Sequence, residues 1–278
     1  MCDNFHCKTD RAQFFTPSGV AKMCVEILNP KAHESVIDTA CGDGVFLSNV
    51  CEYLKNQNNR IFGIDLDEKA IQATKSLKLN IKALWLNSLD YQSWLERAAD
   101  INWQKKYGSE YESLINMCLN INDNKKFMFD IVMANPPFGL KIKSYSILSN
   151  YVLAKKKNIN SEILFIERNL NTLKDGGRMA IILPQGILNN SSNKYIREFI
   201  IEKARILGVI GLHRKTFELT GTCTKTSAVF IQKYGINNPK LDDYNIFFAT
   251  QTKSNDESEL SDISRAFRDF IKAEKIDF

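Results

Sequence analysis

Short apolar runs alternate with amphipathic stretches along most of this chain. Apolar positions recur with helical spacing at residues 18–28, 45–55, 161–173 and 195–202. Nearly continuous apolar runs lie at residues 36–38, 60–65, 82–86, 127–134, 178–183, 206–212 and 227–232. Such runs are typical of strands buried on both faces of a parallel sheet. The alternation predicts an α/β fold with a doubly wound, mostly parallel, seven-stranded sheet.

The chain of 278 residues is long enough for one large α/β domain. Residues 1–13 are predicted to be a flexible amino-terminal segment, and residues 14–250 to be the domain itself. Residues 246–249 are a candidate for one more strand. An acidic linker from Asp256 to Asp262 is expected before a helix, within residues 251–278. Residues 91–126 combine helical patches with polar breaks, which predicts a long connection or an insertion.

The composition is typical of a globular protein that is not secreted. The net charge of +5 is compatible with nucleic-acid binding without requiring it. Seven scattered cysteines indicate reduced intracellular thiols rather than a disulfide scaffold. Cys2, His6 and Cys7 lack a second pair of ligands, so no metal site is expected. No signal peptide or membrane-spanning run is present, which predicts a cytoplasmic protein without membrane contact.

The ends of the first two predicted strands carry residues suited to a ligand. The first strand ends in Asp38-Thr-Ala-Cys-Gly42-Asp-Gly44, whose glycines permit a tight turn and close approach of a ligand. The next strand ends in Asp65, where an acid can bind ribose hydroxyls, since Asp67 and Glu68 can cap the following helix. A dinucleotide fingerprint and a Walker lysine are missing. A nucleoside with a short cationic chain fits better, and Asp38 and Asp43 suit its positive end.

The fourth strand leads into Asn135-Pro-Pro-Phe138 and then Gly139. Two prolines fix φ and remove two backbone donors, so this loop offers carbonyl oxygens and a side-chain amide. Such a set accepts hydrogen bonds from an amine. An ordinary strand-ending turn is the alternative, since Asn-Pro is common in turns.

Two further segments flank these loops. Thr16 can cap the first helix, with Pro17 at its first position. Beyond the Asn-Pro-Pro loop lies a segment with five lysines and no acid. It is either a solvated mobile loop or a phosphate-contacting segment. Its lysines are Lys141, Lys143, Lys155, Lys156 and Lys157.

The order of these motifs resembles a known family. Phe15-Thr-Pro17, the 38–44 loop, Gly63-Ile-Asp65 and Asn135-Pro-Pro-Phe138 are similar to the amino-methyltransferases that make N6-methyladenine in DNA. Among them the chain most resembles the modification subunits of type I restriction–modification systems, over roughly residues 10–250. The strand that ends at Pro184 and the loop Thr220-Gly221…Lys225-Thr226 belong to the resemblance. Thr39 stands where the family usually has proline. The resemblance implies that the last strand of the methyltransferase sheet is antiparallel.

The resemblance also implies S-adenosylmethionine as methyl donor and adenine N6 as acceptor. The residues that would bind the donor are Phe15, Thr16, Pro17, Asp38, Ala40, Gly42, Gly44, Asp65, Asn87 and Asn135. Asn135 and the Pro136 carbonyl would hold the target amine, in a catalytic loop completed by Pro137 and Phe138. Phe138 and Phe217 would stack on an adenine flipped out of double-stranded DNA. The lysines would contact the DNA backbone.

Partners are expected as well. Type I modification subunits normally have a helical region before the Phe-x-Thr-Pro motif, and little sequence follows residue 250. DNA specificity is therefore expected from a separate specificity subunit or from parts outside this sequence, with a restriction subunit as a further partner. The alternatives are a methyltransferase that acts on protein glutamine or RNA, and an inactive module that binds DNA or a partner. The Phe-x-Thr-Pro and Thr-Gly loops favour DNA adenine.

Overall fold

The structure is a computed structural model, which describes residues 15–118, 128–218, 224–254 and 256–277. Its helices are α1 Ser18–Leu28, α2 Val45–Tyr53, α3 Glu68–Ser76, α4 Tyr91–Ala99, α5 Ile101–Cys118, α6 Tyr145–Leu148, α7 Ser161–Thr172, α8 Gln185–Asn189, α9 Lys194–Lys203 and α10 Glu257–Ala273, with a 3-10 helix at Ser191–Asn193. Its strands are β1 Val36–Asp38, β2 Ile61–Asp65, β3 Lys82–Trp85, β4 Phe129–Ala134, β5 Lys141–Ile142, β6 Ile159–Asn160, β7 Leu173–Pro184, β8 Ala204–Gly211, β9 Thr226–Lys233 and β10 Phe247–Thr250.

The main sheet has the strand order β10-β8-β9-β7-β4-β1-β2-β3. Its strands pair in parallel, except that β9 is antiparallel to both β7 and β8. The predicted doubly wound α/β fold is confirmed, including the antiparallel strand at 227–232. Within the described residues the sheet has eight strands rather than seven, because the candidate run near 246–249 forms β10 and pairs with β8.

The direction in which successive strands are added to the sheet reverses between β1 and β4, which are parallel neighbours. From β1 the chain proceeds outward to β2 and β3, and then returns to β4 on the other side. Such a switch point leaves a crevice beyond the carboxyl ends of the strands, where open α/β sheets bind ligands. The loops after β1, β2, β3 and β4 all meet there.

The region 91–126 is helical as far as the structure describes it. The helices α4 and α5 pack on each other, and α5 also packs along the edge strand β3. Trp103 and Tyr107 of α5 are buried, and Trp103 Nε1 donates to the Trp85 carbonyl oxygen (3.1 Å). This segment therefore covers an edge strand that would otherwise expose unpaired backbone groups.

The predicted acidic linker is wrong for residues 257–262, which form the first turns of α10. Asp256 caps this helix by accepting from the Glu259 N–H, because its short side chain satisfies an end donor. Phe267 is fully buried and packs on Phe230 and Phe247. The helix α10 thus shares the core of the sheet. None of the described helices is both long and apolar enough to span a membrane.

Charged pairs tie the amino ends of the central strands together. Arg178 of β7 is 2% exposed and binds Glu34 with two hydrogen bonds (2.7 and 2.8 Å). In β4, Asp130 accepts from both the N–H and the hydroxyl of Ser35 and from Lys174 Nζ. These bonds connect β1, β4 and β7 at the edge opposite the crevice.

Candidate active site

A cavity of about 290 Å³ lies at the carboxyl ends of β1 to β4. It brings together seven of the residues that the sequence assigned to the donor or to the catalytic loop, namely Phe15, Ala40, Gly42, Asp65, Asn87, Asn135 and Pro137. The other wall residues were not predicted, and they are Thr39, Leu66, Ser88, Leu89, Leu140, Ile142, Ile147, Ser161 and Phe165. The predicted residues Thr16, Pro17, Asp38, Gly44, Pro136, Phe138 and Phe217 do not line it.

The glycine loop is held in place by two carboxylates. Asp38 Oδ1 accepts from the Ala40 N–H (3.0 Å), and Asp65 Oδ2 accepts from the Gly42 N–H (2.9 Å). Gly42 has φ +53°, a left-handed conformation that glycine adopts at low cost, and the Phe15 ring lies against it. At Gly44 an added Cβ would lie 2.9 Å from the Thr74 side chain. Gly44 thus makes room for α3 rather than for the cavity.

Asp65 connects the loops after β1 and β2. Besides Gly42, it accepts from the Asp67 N–H (2.8 Å) through Oδ1. As predicted, Asp67 caps α3, with its side chain accepting from the Lys69 N–H (3.0 Å). Asp65 is therefore not needed as the helix cap, and its carboxylate both orients the loop and forms part of the cavity wall.

Several carboxylates crowd this end of the sheet. Burial raises the pKa of Asp38 well above its usual range, and the charges of Asp65 and Asp43 raise it further. Burial also raises the pKa of Asp43. Like charges in a desolvated place oppose ionisation, and a nearby cation relieves that opposition. This end of the sheet, beside the cavity, is therefore suited to the positive part of a ligand.

Asn87 follows β3 and lines the cavity. Its Oδ1 accepts from the Leu89 N–H (3.0 Å), and its carbonyl oxygen accepts from Trp94 Nε1 (2.7 Å). The side chain thereby shapes the turn that it belongs to. The first turn of α4 holds this wall of the cavity in position.

Asn135 is anchored by the segment before α1. Its Nδ2 donates to Thr16 Oγ1 (3.0 Å), across a sequence separation of 119 residues. The predicted capping role of Thr16 is wrong, because Pro17 is the N-cap residue of α1 and no side-chain cap is formed there. The Thr16 hydroxyl instead orients the amide of Asn135. The Phe-Thr-Pro segment and the Asn-Pro-Pro-Phe loop thus form one unit.

The aromatic rings assigned to base stacking are neighbours. Phe138 and Phe217 are buried, with ring centroids 6.3 Å apart in an edge-to-face arrangement. A base between two parallel rings needs about 7 Å, twice the ordinary contact distance of carbon atoms. Two rings at an interplanar angle of 86° cannot sandwich a base without turning. Most of the threonine-rich loop after Phe217, residues 219–223, lies outside the described residues.

The lysine segment, residues 141–157, is joined to the rest of the domain by hydrogen bonds. β5 and β6 pair at its base, and Glu167 of α7 accepts from the Val152 and Leu153 N–H groups (2.9 and 2.8 Å). Tyr151 donates its hydroxyl to the Leu89 carbonyl oxygen (3.0 Å). All five predicted lysines are exposed on this segment. Lys155 Nζ lies 4.9 Å from the centroid of the Tyr195 ring.

Helix α7 contributes polar groups that the sequence analysis did not identify. Ser161, Glu162, Glu167 and Asn169 are all buried, although the polar face of an amphipathic helix is usually exposed. Thr39 donates to Asn169 Oδ1 (2.7 Å), which stabilises the loop at the position where the family usually has proline. The absence of lysine and arginine from 161–167 was the available signal, since exposed helix faces usually carry them.

Cys24, Cys41 and Cys51 are buried free thiols, and burial raises the pKa of each above its usual range. No group of three or more potential metal ligands occurs among the residues that the structure describes. Cys2, His6 and Cys7 lie outside that part of the chain.

The sheet order and the cavity at its switch point define a class of protein. A protein from Listeria monocytogenes assigned to the class I S-adenosylmethionine-dependent methyltransferases has the same fold, with a TM-score of 0.67 and 18% identity over 92% of this chain and 71% of its own. The family model of N-6 DNA Methylase matches residues 3–271. The chain therefore belongs to the N-6 DNA methylase family.

Two relatives with similar sequences carry more specific names. The type I restriction enzyme StySPI methylase subunit of Salmonella potsdam is 28% identical over 244 residues, and the EcoKI methylase subunit of Escherichia coli K12 is 26% identical over 244 residues. Each match covers 84% of this chain and 43% of the relative. The EcoKI M protein structure superposes with a TM-score of 0.65 at 20% identity, covering 92% of this chain and 54% of that one. This chain thus spans less than half of the two relatives' length.

Proposed function

We propose that this chain transfers a methyl group from S-adenosylmethionine to the N6 amine of adenine in DNA. The observation that carries the proposal is the Asn135 amide, which Thr16 holds beside a cavity that Asp65 and Asn87 also line. Membership of the N-6 DNA methylase family supports it. The fold and the family support S-adenosylmethionine as the methyl donor. The hydrogen-bond acceptors of the loop after β4 support an amine as the methyl acceptor.

Residues in the cavity and beside it fit the proposed donor group by group. Asp65 would accept from the ribose hydroxyls, because its carboxylate faces the cavity and acids at this strand end bind them. Asp38 and Asp43 would favour the positive methionine end, and a cation there would lower the raised pKa of both. Asn87 would border the adenine ring of the donor.

The remaining donor contacts come from two loops. Phe15, with Thr16 and Pro17 behind it, would bracket the donor from the side of α1, because its ring already borders the cavity at Gly42. Ala40 and Gly42 would leave room close to the backbone. Gly44 shapes the loop through its contact with Thr74 and has no direct role in this assignment.

The chemistry needs acceptors more than it needs a base. The lone pair of an exocyclic amine is delocalised into the ring, so the nitrogen is a poor nucleophile. Asn135 Oδ1 and the Pro136 carbonyl would accept the two amine N–H groups and favour a pyramidal nitrogen. The bound donor supplies an electrophilic methyl group. Acceptors that are already oriented stabilise the positive charge that develops on nitrogen, and alignment supplies much of the remaining acceleration.

The target adenine must leave the duplex to reach this loop, at a cost of a few kcal/mol. Stacking on Phe138 and Phe217 offsets part of that cost, and their edge-to-face rings would turn to admit the base.

The exposed lysines of the segment 141–157 would contact phosphates beside the cavity. Replacing Lys155, Lys156 and Lys157 with alanine should flatten the salt dependence of DNA binding, and an unchanged slope would remove this contact from the proposal.

Sequence specificity would come from other subunits or from segments outside this chain. The named relatives are methylase subunits of type I restriction enzymes, which supports a specificity subunit and a restriction subunit as partners. A DNA substrate in the bacterial cell would place the protein in the cytoplasm.

Methylated DNA from cells is the direct test of the proposed function. DNA from cells that express this chain with its genomic neighbours is digested and analysed by mass spectrometry for N6-methyladenine. An Asn135→Ala chain expressed in the same way is the control and should leave the DNA unmodified. Calorimetry with S-adenosylmethionine and radiolabelled methyl transfer complete the test. Donor binding without transfer to any DNA would indicate an inactive binding module instead. Transfer only to protein or RNA would overturn the proposal that DNA is the substrate.

A further inference from the structure

The first two residues of α7 hold the backbone of the Asn-Pro-Pro-Phe loop. Ser161 Oγ donates to the Pro137 carbonyl oxygen (2.7 Å), and Glu162 Oε2 accepts from the Gly139 N–H (3.0 Å). Ser161 is 0% exposed and Glu162 is 3% exposed. A buried hydroxyl and a buried carboxylate, each costly to desolvate, are thus directed at one loop.

These two bonds fix the peptide groups on either side of Phe138. The peptide group before Phe138 contains the Pro137 carbonyl, and the group after it contains the Gly139 N–H. Each peptide group is planar, so a hydrogen bond to one of its atoms restrains the orientation of the whole plane. The angles φ and ψ of Phe138 are the rotations between the two planes. Ser161 and Glu162 together therefore set the direction in which the Phe138 side chain leaves the backbone.

The loop needs these two hydrogen bonds at this position. The prolines restrict φ at 136 and 137, but their restriction ends at Phe138. Gly139 follows with φ +72°, and an added Cβ there would have no neighbour within 4 Å. A glycine in open space can adopt many conformations. The two hydrogen bonds from α7 therefore restrain the backbone at the point where the restriction by the prolines ends.

The glutamate is itself held in place. Its second oxygen, Oε1, accepts from Asn160 Nδ2 (2.9 Å), so both carboxylate oxygens have defined partners. The backbone N–H of Ser161 donates to the Leu140 carbonyl oxygen (2.8 Å). The loop and the start of α7 are therefore joined at Pro137, Gly139 and Leu140.

We propose that Ser161 and Glu162 are positioning residues for methyl transfer, which hold the backbone of Phe138 at the position from which its ring can turn onto the target adenine. This inference rests on the proposed function. Neither side chain contacts the reacting atoms in this assignment. Both act through the backbone of residues 137–139.

The test compares four variants. Ser161→Ala removes the donor to Pro137, and Glu162→Ala removes the acceptor for Gly139. Glu162→Gln keeps an acceptor oxygen but loses the charge. Thr172→Val is the matched control, because it removes a buried hydroxyl on the same helix that donates to the helix's own Arg168 carbonyl oxygen (2.9 Å).

Three quantities are measured for each variant. Methyl transfer is assayed with the subunits with which the wild-type chain is active, calorimetry gives the Kd for S-adenosylmethionine, and hydrogen exchange is followed in the peptide covering residues 135–140. We expect Ser161→Ala and Glu162→Ala to lower kcat by about 10- to 100-fold, since small misplacements in an aligned site have effects of this size. Donor Kd and the KM for DNA should change by less than a factor of about three, within ordinary context effects. Exchange at 138–140 should become faster.

The conservative variant separates geometry from charge. Glu162→Gln should recover most of kcat and of the protection from exchange, because its oxygen can still accept from Gly139. Thr172→Val should match the wild-type chain in kcat and in exchange at 135–140.

Two outcomes overturn the positioning role. One is wild-type kcat in Ser161→Ala, whatever its exchange rate, and this variant decides the matter if Glu162→Ala does not fold. The other is a fall in kcat without faster exchange at 138–140. If the wild-type chain binds S-adenosylmethionine but transfers no methyl to DNA, the proposed function fails first, and the positioning role fails with it.

Discussion

The two ends of the same parallel strands are built for different purposes. At the amino ends, Arg178 and Asp130 are matched with partners of opposite charge or with hydrogen-bond donors. At the carboxyl ends, Asp38, Asp65 and Asn135 orient loops around a cavity. One edge therefore ties strands together, and the other edge presents groups to a ligand.

The two ends of the strands also differ in their electrostatics. Although burial alone would raise the pKa of Asp130, hydrogen bonds from Lys174 and Ser35 lower it below its usual value. Asp38 has the opposite shift, because burial and neighbouring acids raise its pKa. Ionisation of Asp130 therefore stabilises the fold at the amino ends of the strands, whereas ionisation of Asp38 destabilises it at the carboxyl ends. Perturbed groups of the second kind cluster at functional sites.

The largest expected effect on stability comes from the amino edge. Arg178→Met should lower the free energy of unfolding by about 3–5 kcal/mol, because it leaves Glu34 and two carbonyl oxygens without their buried partner. Urea denaturation followed by circular dichroism measures this loss. Lys194→Ala, which removes only an exposed pair with Glu198, should change little and is the control. A loss in Arg178→Met as small as in the control would mean that this edge does not hold the strands.

The largest effect on chemistry comes from the carboxyl edge. Asn135→Ala should lower the rate of methyl transfer by at least about 10²- to 10³-fold, the usual effect of deleting one oriented group that stabilises the transition state. The free energy of unfolding and the Kd for the donor should stay close to the wild-type values. Calorimetry and single-turnover transfer provide the measurements. Transfer within a factor of about ten of wild type would contradict the assigned role.

Asp65 should show a mixed effect, because it serves both the loop and the cavity. Asp65→Ala should weaken donor binding by about 10- to 100-fold, the range expected for hydrogen bonds to a charged group of about 1.5–3 kcal/mol. Asp67→Ala is the matched control, since it removes the cap of α3 without removing a cavity group. Calorimetry should show nearly unchanged donor affinity in the control. Equal losses in both variants would assign Asp65 to the fold alone.

The smallest expected effect is a pH dependence at the amino edge. Because the pKa of Asp130 is lowered on folding, its contribution is present above its usual value of 3.8 and is lost as the pH falls through the lower folded pKa. Asp130→Asn should therefore destabilise the protein near pH 7, by about 1 kcal/mol for a partly exposed group. Chemical denaturation at several pH values should show this difference shrinking below pH 4. A difference that grows with acid would reverse the assignment.

The sequence predicted the fold class and the strand-end loops that contribute to the cavity wall, because both depend on local patterns. Apolar runs located the strands, and the residues after them marked the loops at Gly42, Asp65, Asn87 and Asn135. Strand ends of a parallel sheet converge in any fold of this topology, so their meeting followed from the order of the elements. The eighth strand was harder to predict, because residues 247–250 are half exposed and their burial depends on β8 and α10.

Polar side chains with distant partners escaped prediction for a physical reason. Ser161 and Glu162 were not predicted as site residues, because an isolated helix gives no sign that a loop will cover its polar residues. Thr16 was assigned to a helix cap, since capping is the local use of a threonine before proline. Its observed partner is 119 residues away.

The sequence by itself determined where the strands of the main sheet lie, that a glycine loop follows the first strand, and where two prolines stiffen the chain. These properties arise from backbone sterics and short-range periodicity. Only the tertiary structure decided that Thr16 orients Asn135, that Asp65 holds Gly42, and that α7 grips the peptide groups around Phe138. Such contacts depend on which atoms meet once the sheet has formed, and no local pattern encodes that meeting.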